Sequence, residues 1–197
     1  HEEKRVAFCV DWLEKNGVEH VSVDEAKNVI CSFGECGGDA PLVVYMAHSD
    51  VVFPDMEALP LSVEGNRIYC PGVGDDTANL AVMMICARYF MQNDLLPKTG
   101  MLFVANACEE GLGNLKGCRA IVAKYGRRMD ALVTFDGFRL DKITNQAVGS
   151  HRYRVTVKTE GGHSFGAFGN RNAIAVLSSM IGTLYSVKVP QEGSSKT

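Results

Sequence analysis

Three apolar runs that each stop abruptly at residues able to hold a proton or a metal constrain this chain more than any other feature. Leu42-Val43-Val44-Tyr45-Met46-Ala47 runs into His48-Ser49-Asp50, and Met101-Leu102-Phe103-Val104-Ala105 is followed by Glu109-Glu110. The run Ala131 to Phe135 ends at Asp136. Uninterrupted apolar runs suit strands buried on both faces, the condition of a sheet with parallel strands and helices on either side. In such sheets ligands sit beyond the carboxyl ends of the strands. The pattern therefore predicts that His48, Asp50, Glu109, Glu110 and Asp136 converge on one sheet edge.

The segments between the runs supply the helices. Val6, Phe8, Cys9, Trp12 and Leu13 form a helix-period stripe over Arg5 to Asn16, which stops at Gly17. Two short strands are expected over 18–23 and 28–33, a helix over Leu80 to Met91, and another from Asn114 to Tyr125, ended by Gly126. Strand and helix alternate, so the expected fold class is α/β, a mostly parallel sheet flanked by helices. After Gly149 the pattern changes. Tyr153, Val155 and Val157 alternate with Arg154, Thr156 and Lys158, as in a half-exposed antiparallel strand. A Gly-rich loop over 161–170 then leads into an apolar helix from about Asn172 to Tyr185. Residues 1–149 are read as one domain and 150–197 as the start of a second, with the polar stretch Gln191 to Thr197 completing no unit.

Composition excludes some functions. With 20 basic and 23 acidic residues the net charge is −3, and no Lys/Arg run marks a nucleic-acid partner. The apolar runs fall well short of the roughly 20 residues that span a bilayer, so no membrane partner is expected. The opening His1-Glu2-Glu3-Lys4-Arg5 is charged, unlike a signal peptide, and the cytoplasm is the expected location. The 7 cysteines are odd in number and irregularly spaced, without a Cys-x-x-Cys pair. They read as mostly buried thiols, not a disulfide framework or a structural zinc site.

Each polar segment has an ordinary reading beside a chemical one. His48-Ser49-Asp50 is a solvated strand end, or a metal-binding imidazole with a carboxylate to orient it. Gly74-Asp75-Asp76-Thr77 before an apolar run is routine helix capping, unless Asp75 holds a metal while Asp76 or Thr77 caps. Glu109-Glu110 is an acidic turn, or a pair that needs a cation, one carboxylate ligating while the other moves protons. Asp136-Gly137 is a turn signal. Jointly the ordinary readings require four coincidences at one sheet edge.

The order of these motifs resembles the M20 family of metallopeptidases and deacylases, with peptidase T, carboxypeptidase and aminoacylase relatives. His48-Ser49-Asp50, Gly74-Asp75-Asp76, Glu109-Glu110, Asp136 and Gly162-His163-Ser164 carry the likeness over roughly residues 40 to 185. The resemblance implies a zinc-exopeptidase-like catalytic domain followed by the start of an α+β lid domain. It implies two divalent metal ions, zinc with cobalt or manganese as substitutes. His48 and Asp136 would hold one ion, Asp75 would bridge both, and Glu110 would hold the second. Glu109 would be the general base, Asp50 would orient His48, and the peptide after Asp75 would be cis. His163 would meet the substrate carbonyl from the lid, in dimeric relatives that of the neighbouring subunit. Arg171 or its neighbouring Asn residues would bind a substrate carboxylate, with helix capping by Asn170 or Asn172 as the ordinary reading.

The implied function is hydrolysis of amide bonds in short peptides. N-acyl-amino-acid deacylation, or an inactive dimerising scaffold, is the alternative, and a homodimer through the lid is expected. Two departures stand out. Thr77-Ala78 replaces the family's Lys-Gly, and no His occupies the place of a further ligand beyond the lid. The chain is thus read as an N-terminal fragment, inactive alone, that completes the His48/Asp75/Asp136 half of the site but not the Asp75/Glu110 half.

Overall fold

The structure is a computed structural model that describes residues 2–53, 58–139 and 141–189. His1 and the polar stretch Gln191 to Thr197 lie outside the described residues. The chain divides into two units after Arg139, whereas the composition shift lies at 148–150.

The first unit is built on a sheet of five strands. These are β1 (Val21–Val23), β2 (Val29–Phe33), β3 (Leu42–His48), β6 (Gly100–Asn106) and β7 (Met129–Thr134), and a separate hairpin contributes β4 (Ser62–Glu64) and β5 (Arg67–Tyr69). The order across the sheet is β1-β2-β6-β3-β7. β6, β3 and β7 run parallel, β2 runs against β6, and β1 runs against β2, so only β2 points the other way. The two longest apolar runs are the central pair: every residue of β6 is buried, and β3 is buried or half-buried throughout.

Side chains alternate across a strand, and that alternation divides the core in two. Met101, Phe103 and Ala105 of β6, with Val29, Cys31 and Phe33 of β2, face α1 (Glu2–Lys15) and α2 (Asn79–Gln92). Helix α2 contributes Leu80, Met83, Met84 and Ala87, spaced along one face, and Phe33, Phe90 and Phe103 meet edge-on or tilted there. Leu102 and Val104, with Leu42, Val44 and Met46, face α3 (Lys116–Tyr125) through Ile121. The unit is a helix–sheet–helix sandwich, as the apolar runs require.

Several details depart from the sequence reading. Phe8 is 62% exposed, because the buried stripe of α1 is Val6, Cys9, Val10 and Leu13. Helix α3 starts at Lys116, since Asn114 and Leu115 adopt left-handed φ of 52° and 58°. The β4–β5 hairpin was not foreseen; its strands are short and exposed, joined by Gly65-Asn66 with Gly65 at φ 62°. The thiols are less buried than expected: Cys9 and Cys31 are buried and Cys86 is exposed, the rest lying between. Cys86 sits outside the buried stripe of α2. Burial pushes the Cys31 thiol up to about 12.

In the second unit, α4 (Ala173–Tyr185) matches the expected helix, and Asn172 caps it by accepting from the Ile174 and Ala175 amides at 2.9 and 3.1 Å. Tyr153 to Thr159 forms no strand. A strand needs a neighbour to receive its main-chain hydrogen bonds, and none is supplied among the described residues. No helix among the described residues is long and apolar enough to cross a membrane.

Candidate metal centre

β3 ends on His48, which is 3% exposed and lies in register with Asn106, the last residue of β6. The pairing continues one step further, the Ser49 amide donating to the Asn106 carbonyl at 2.8 Å. The His48 ring is held at both nitrogens. Nδ1 lies 3.0 Å from the Asp50 carbonyl oxygen, which only accepts, so Nδ1 carries hydrogen. Nε2 faces Asp75 Oδ1 at 3.0 Å. Burial disfavours a charged ring here. The bonds to Asp50 and Asp75 and the charge of Asp76 outweigh burial and push His48 up to about 10.

Asp50 ties the two central strand ends together. Its Oδ1 accepts from the Glu109 amide at 3.0 Å, and its Oδ2 from the Glu110 amide at 2.8 Å. Burial works to raise Asp50, but the His48 contact and these two amides hold it below the usual carboxylate range. The Glu109-Glu110 turn is further positioned from behind, where Gly117 donates its amide to the Ala107 carbonyl at 3.0 Å. A Cβ on Gly117 would stand 2.3 Å from that carbonyl and from Asn28 Oδ1, so the approach of α3 to the end of β6 requires glycine.

The acidic loop before α2 starts at Gly72, whose φ of 74° and contact with Val51 exclude a side chain. Asp75 is extended, φ −108° and ψ 99°, and the Asp75–Asp76 peptide is cis. The two acids then part company. Asp75 is 54% exposed beside His48 Nε2. Asp76 is fully buried, accepting from the His48 amide at 2.7 Å and from Asn79 Nδ2 at 2.6 Å. Burial pushes Asp76 up to about 6 against those bonds and the charge of His48. One oxygen thus holds the loop to the end of β3 and the other holds it to the first residue of α2. Neither capping candidate caps: no side-chain cap bond stands at the start of α2, because Asp76 is turned onto His48 and the Asn79 side chain and Thr77 is exposed.

Asp136 is exposed just past β7, where the Phe135 amide extends the ladder to the Met46 carbonyl at 2.8 Å. Asn79 links this segment to the acidic loop by donating to the Gly137 carbonyl at 2.9 Å. One ligand atom each from His48, Asp75, Asp76 and Asp136 lies within 4.8 Å of the others, and so does one each from His48, Glu109 and Glu110. All of the first-unit candidates are thus gathered at the strand ends. Asp75 and Glu110 belong to different groups. Glu109 is raised by burial and by the charges of Glu110, Asp136 and Asp50, with His48 opposing.

The remaining candidates, His163 and Arg171, belong to the second unit. The amides of Phe165 and Gly166 donate to His163 Nδ1 at 3.2 and 3.3 Å, so Nδ1 is the accepting nitrogen and Nε2 the one that carries hydrogen. The Arg171 amide donates to Glu160 Oε1 at 3.2 Å, and Asn170 Nδ2 to the Gly161 carbonyl at 2.6 Å. Sequence reasoning missed the supporting asparagines. Asn28, fully buried, donates to Asp24 and to the Gly117 carbonyl and accepts from the Ala107 amide. An amide at the mouth of an apolar strand was the signal for Asn28, and one opening an apolar helix was the signal for Asn79.

Residues 44–196 match the family model of peptidase family M20/M25/M40. A succinyl-diaminopimelate desuccinylase from Janthinobacterium sp. (strain Marseille) is 29% identical over 172 residues, 80% of this chain and 42% of the relative. A solved structure of LapA from Legionella pneumophila has the same fold, with a TM-score of 0.50 and 22% identity over 68% of this chain and 36% of that one. The chain spans less than half the length of these relatives. From a match over most of its length, with the expected His and acids assembled at the strand ends, the chain belongs to peptidase family M20/M25/M40.

Proposed function

We propose that this chain carries the larger part of the site of a metal-dependent hydrolase cleaving amide bonds of short peptides. The observation that carries the reading is the meeting of His48, Asp75 and Asp136, from three distant segments, within 4.8 Å. One imidazole with carboxylates suits zinc, with cobalt or manganese as substitutes. His48, Asp75 and Asp136 would hold one ion; Glu110 would hold a second, with Asp75 shared between them. Asp76 is not counted as a ligand, because its oxygens are committed to His48 and Asn79. Bound divalent ions lower the pKa of water toward neutrality and polarise a carbonyl.

The protein groups then have distinct tasks. Asp50 fixes the His48 ring and, through two amides, the position of the glutamates. Glu109, raised by burial and neighbouring acids, accepts the proton of the attacking water and returns it to the leaving amine. His163, set as a donor within its own unit, stabilises the oxyanion, and Arg171 binds a substrate carboxylate. A cytoplasmic homodimer joined through the second unit completes this reading. N-acyl-amino-acid deacylation is the second reading, favoured by the likeness to a desuccinylase.

The test uses the full-length protein loaded with zinc and assayed on tripeptides and on N-acetyl amino acids. Turnover of either class assigns the substrate. Glu109→Gln should lower kcat by about 100-fold or more while zinc content stays unchanged. Full activity in that variant would remove Glu109 from the chemistry.

A further inference from the structure

One run of hydrogen bonds joins the three segments that carry His48, Asp75 and Asp136. The His48 amide donates to Asp76 Oδ2 at 2.7 Å, and Asp76 Oδ1 accepts from Asn79 Nδ2 at 2.6 Å. The same Nδ2 donates to the Gly137 carbonyl at 2.9 Å, across 58 positions of sequence. Each bond is made at a candidate ligand or at its immediate neighbour: at His48 itself, next to Asp75 and next to Asp136. Both partners of the half-buried Asn79 only accept, so the atom facing them is the amide nitrogen, and both of its hydrogens are used. Neither goes to α2, of which Asn79 is the first residue, so the side chain is not spent on its own helix. Asp136 is thereby fixed from both sides, by the Phe135 amide on the Met46 carbonyl and by Asn79 on the Gly137 carbonyl. Such fixing has work to do, because Asp75 and Asp136, with ligand atoms within 4.8 Å, repel each other until a cation lies between them.

We infer that Asn79 is a positioning residue: its amide group clasps the Asp75 loop to the Asp136 turn and so holds both carboxylates at the separation that one divalent ion requires. An ion then meets ligands already gathered, and none of its binding free energy is spent on drawing two repelling acids together. The inference rests on the metal-centre reading for the ion but not for the clasp itself.

The experiment titrates zinc into the metal-free chain by calorimetry. Asn79→Ala should weaken zinc binding by about tenfold or more while the chain stays folded. Asn79→Asp should weaken it too, because its oxygens would face the acceptors Asp76 Oδ1 and the Gly137 carbonyl, whereas added negative charge alone would tighten it. Met83→Ala, which empties core space under the same helix, should lower stability but leave zinc affinity within about twofold. Unchanged affinity in Asn79→Ala overturns the inference. So does an equal loss in Met83→Ala, which would reduce Asn79 to a strut for α2. Amide hydrogen exchange supplies an arm that needs no metal. In Asn79→Ala the Thr77 and Phe135 amides, bonded to the Gly72 and Met46 carbonyls, should both exchange about fivefold faster or more. If the unsubstituted chain binds no zinc, the metal-centre reading fails and exchange decides: faster at both amides supports the clasp, faster at one or neither overturns it. If Asn79→Ala does not fold, Asn79→Asp, which keeps the volume, carries both measurements.

Discussion

Replacing Asp50 by alanine removes the acceptor on which both central strand ends lean. Its two oxygens receive the Glu109 and Glu110 amides at 3.0 and 2.8 Å, and Oδ1 also lies 3.7 Å from His48 Nδ1. A hydrogen bond to a charged group contributes about 1.5–3 kcal/mol, so losing two costs about 3–6 kcal/mol. The side chain is 10% exposed, yet it borders a cleft that admits water. The lower end, about 3 kcal/mol, is therefore expected, with about half of that for Asp50→Asn, which keeps one acceptor. The sign with pH follows from the direction of the shift. Asp50 is held below its ordinary value, so its contribution is full above about pH 4 and fades as pH falls through the depressed folded value. Urea unfolding of the zinc-stripped chain can be followed by the fluorescence of Trp12, the one tryptophan, which packs against the core from α1. A midpoint lower by about 1 M is expected for Asp50→Ala at pH 7. A difference under about 0.5 kcal/mol, or one that is as large at pH 3 as at pH 7, would refute the reasoning.

Three further outcomes are expected. Calorimetry with zinc should find one tightly bound ion per chain, lost in His48→Ala; two tight ions would show that the Asp75/Glu110 half is complete without further ligands. Zinc should displace the proton that His48, pushed up to about 10, still carries at pH 8. Affinity should therefore rise with pH, with about one proton released per ion, and a flat profile would contradict the ring's place in the site. Gly117→Ala should destabilise the first unit by about 3 kcal/mol in urea unfolding, because its Cβ would meet the Ala107 carbonyl at 2.3 Å; an unchanged midpoint would mean that α3 can shift at no cost.

What the sequence disclosed and what it hid follow from the range of the forces involved. The runs Leu42 to Ala47 and Met101 to Ala105 needed burial on both faces, and one sheet between helices satisfies that, which in turn sends His48 and Glu109-Glu110 to the same edge. Adjacent, chemically identical side chains were harder to separate. Asp75 and Asp76 differ only in that the second is turned into the protein, a consequence of the loop between Gly72 and Asn79 and not of residue type. Short exposed elements were invisible for another reason: β4 and β5 bury too little to leave an apolar pattern, and only Gly65-Asn66 marked their turn. The alternation of Tyr153 to Thr159 shows the opposite limit, since a pattern suited to a strand makes none without a partner among the described residues. Arg5 was read only as part of a charged opening run, because its approach to Ser49 spans 44 positions.

The most direct measurement is anomalous diffraction at the zinc edge from crystals of this chain grown with zinc. The account predicts a peak about 2.0–2.2 Å from His48 Nε2 and from carboxylate oxygens of Asp75 and Asp136. A peak placed elsewhere, or strong density there that persists after Asp75→Ala and Asp136→Ala, would contradict it.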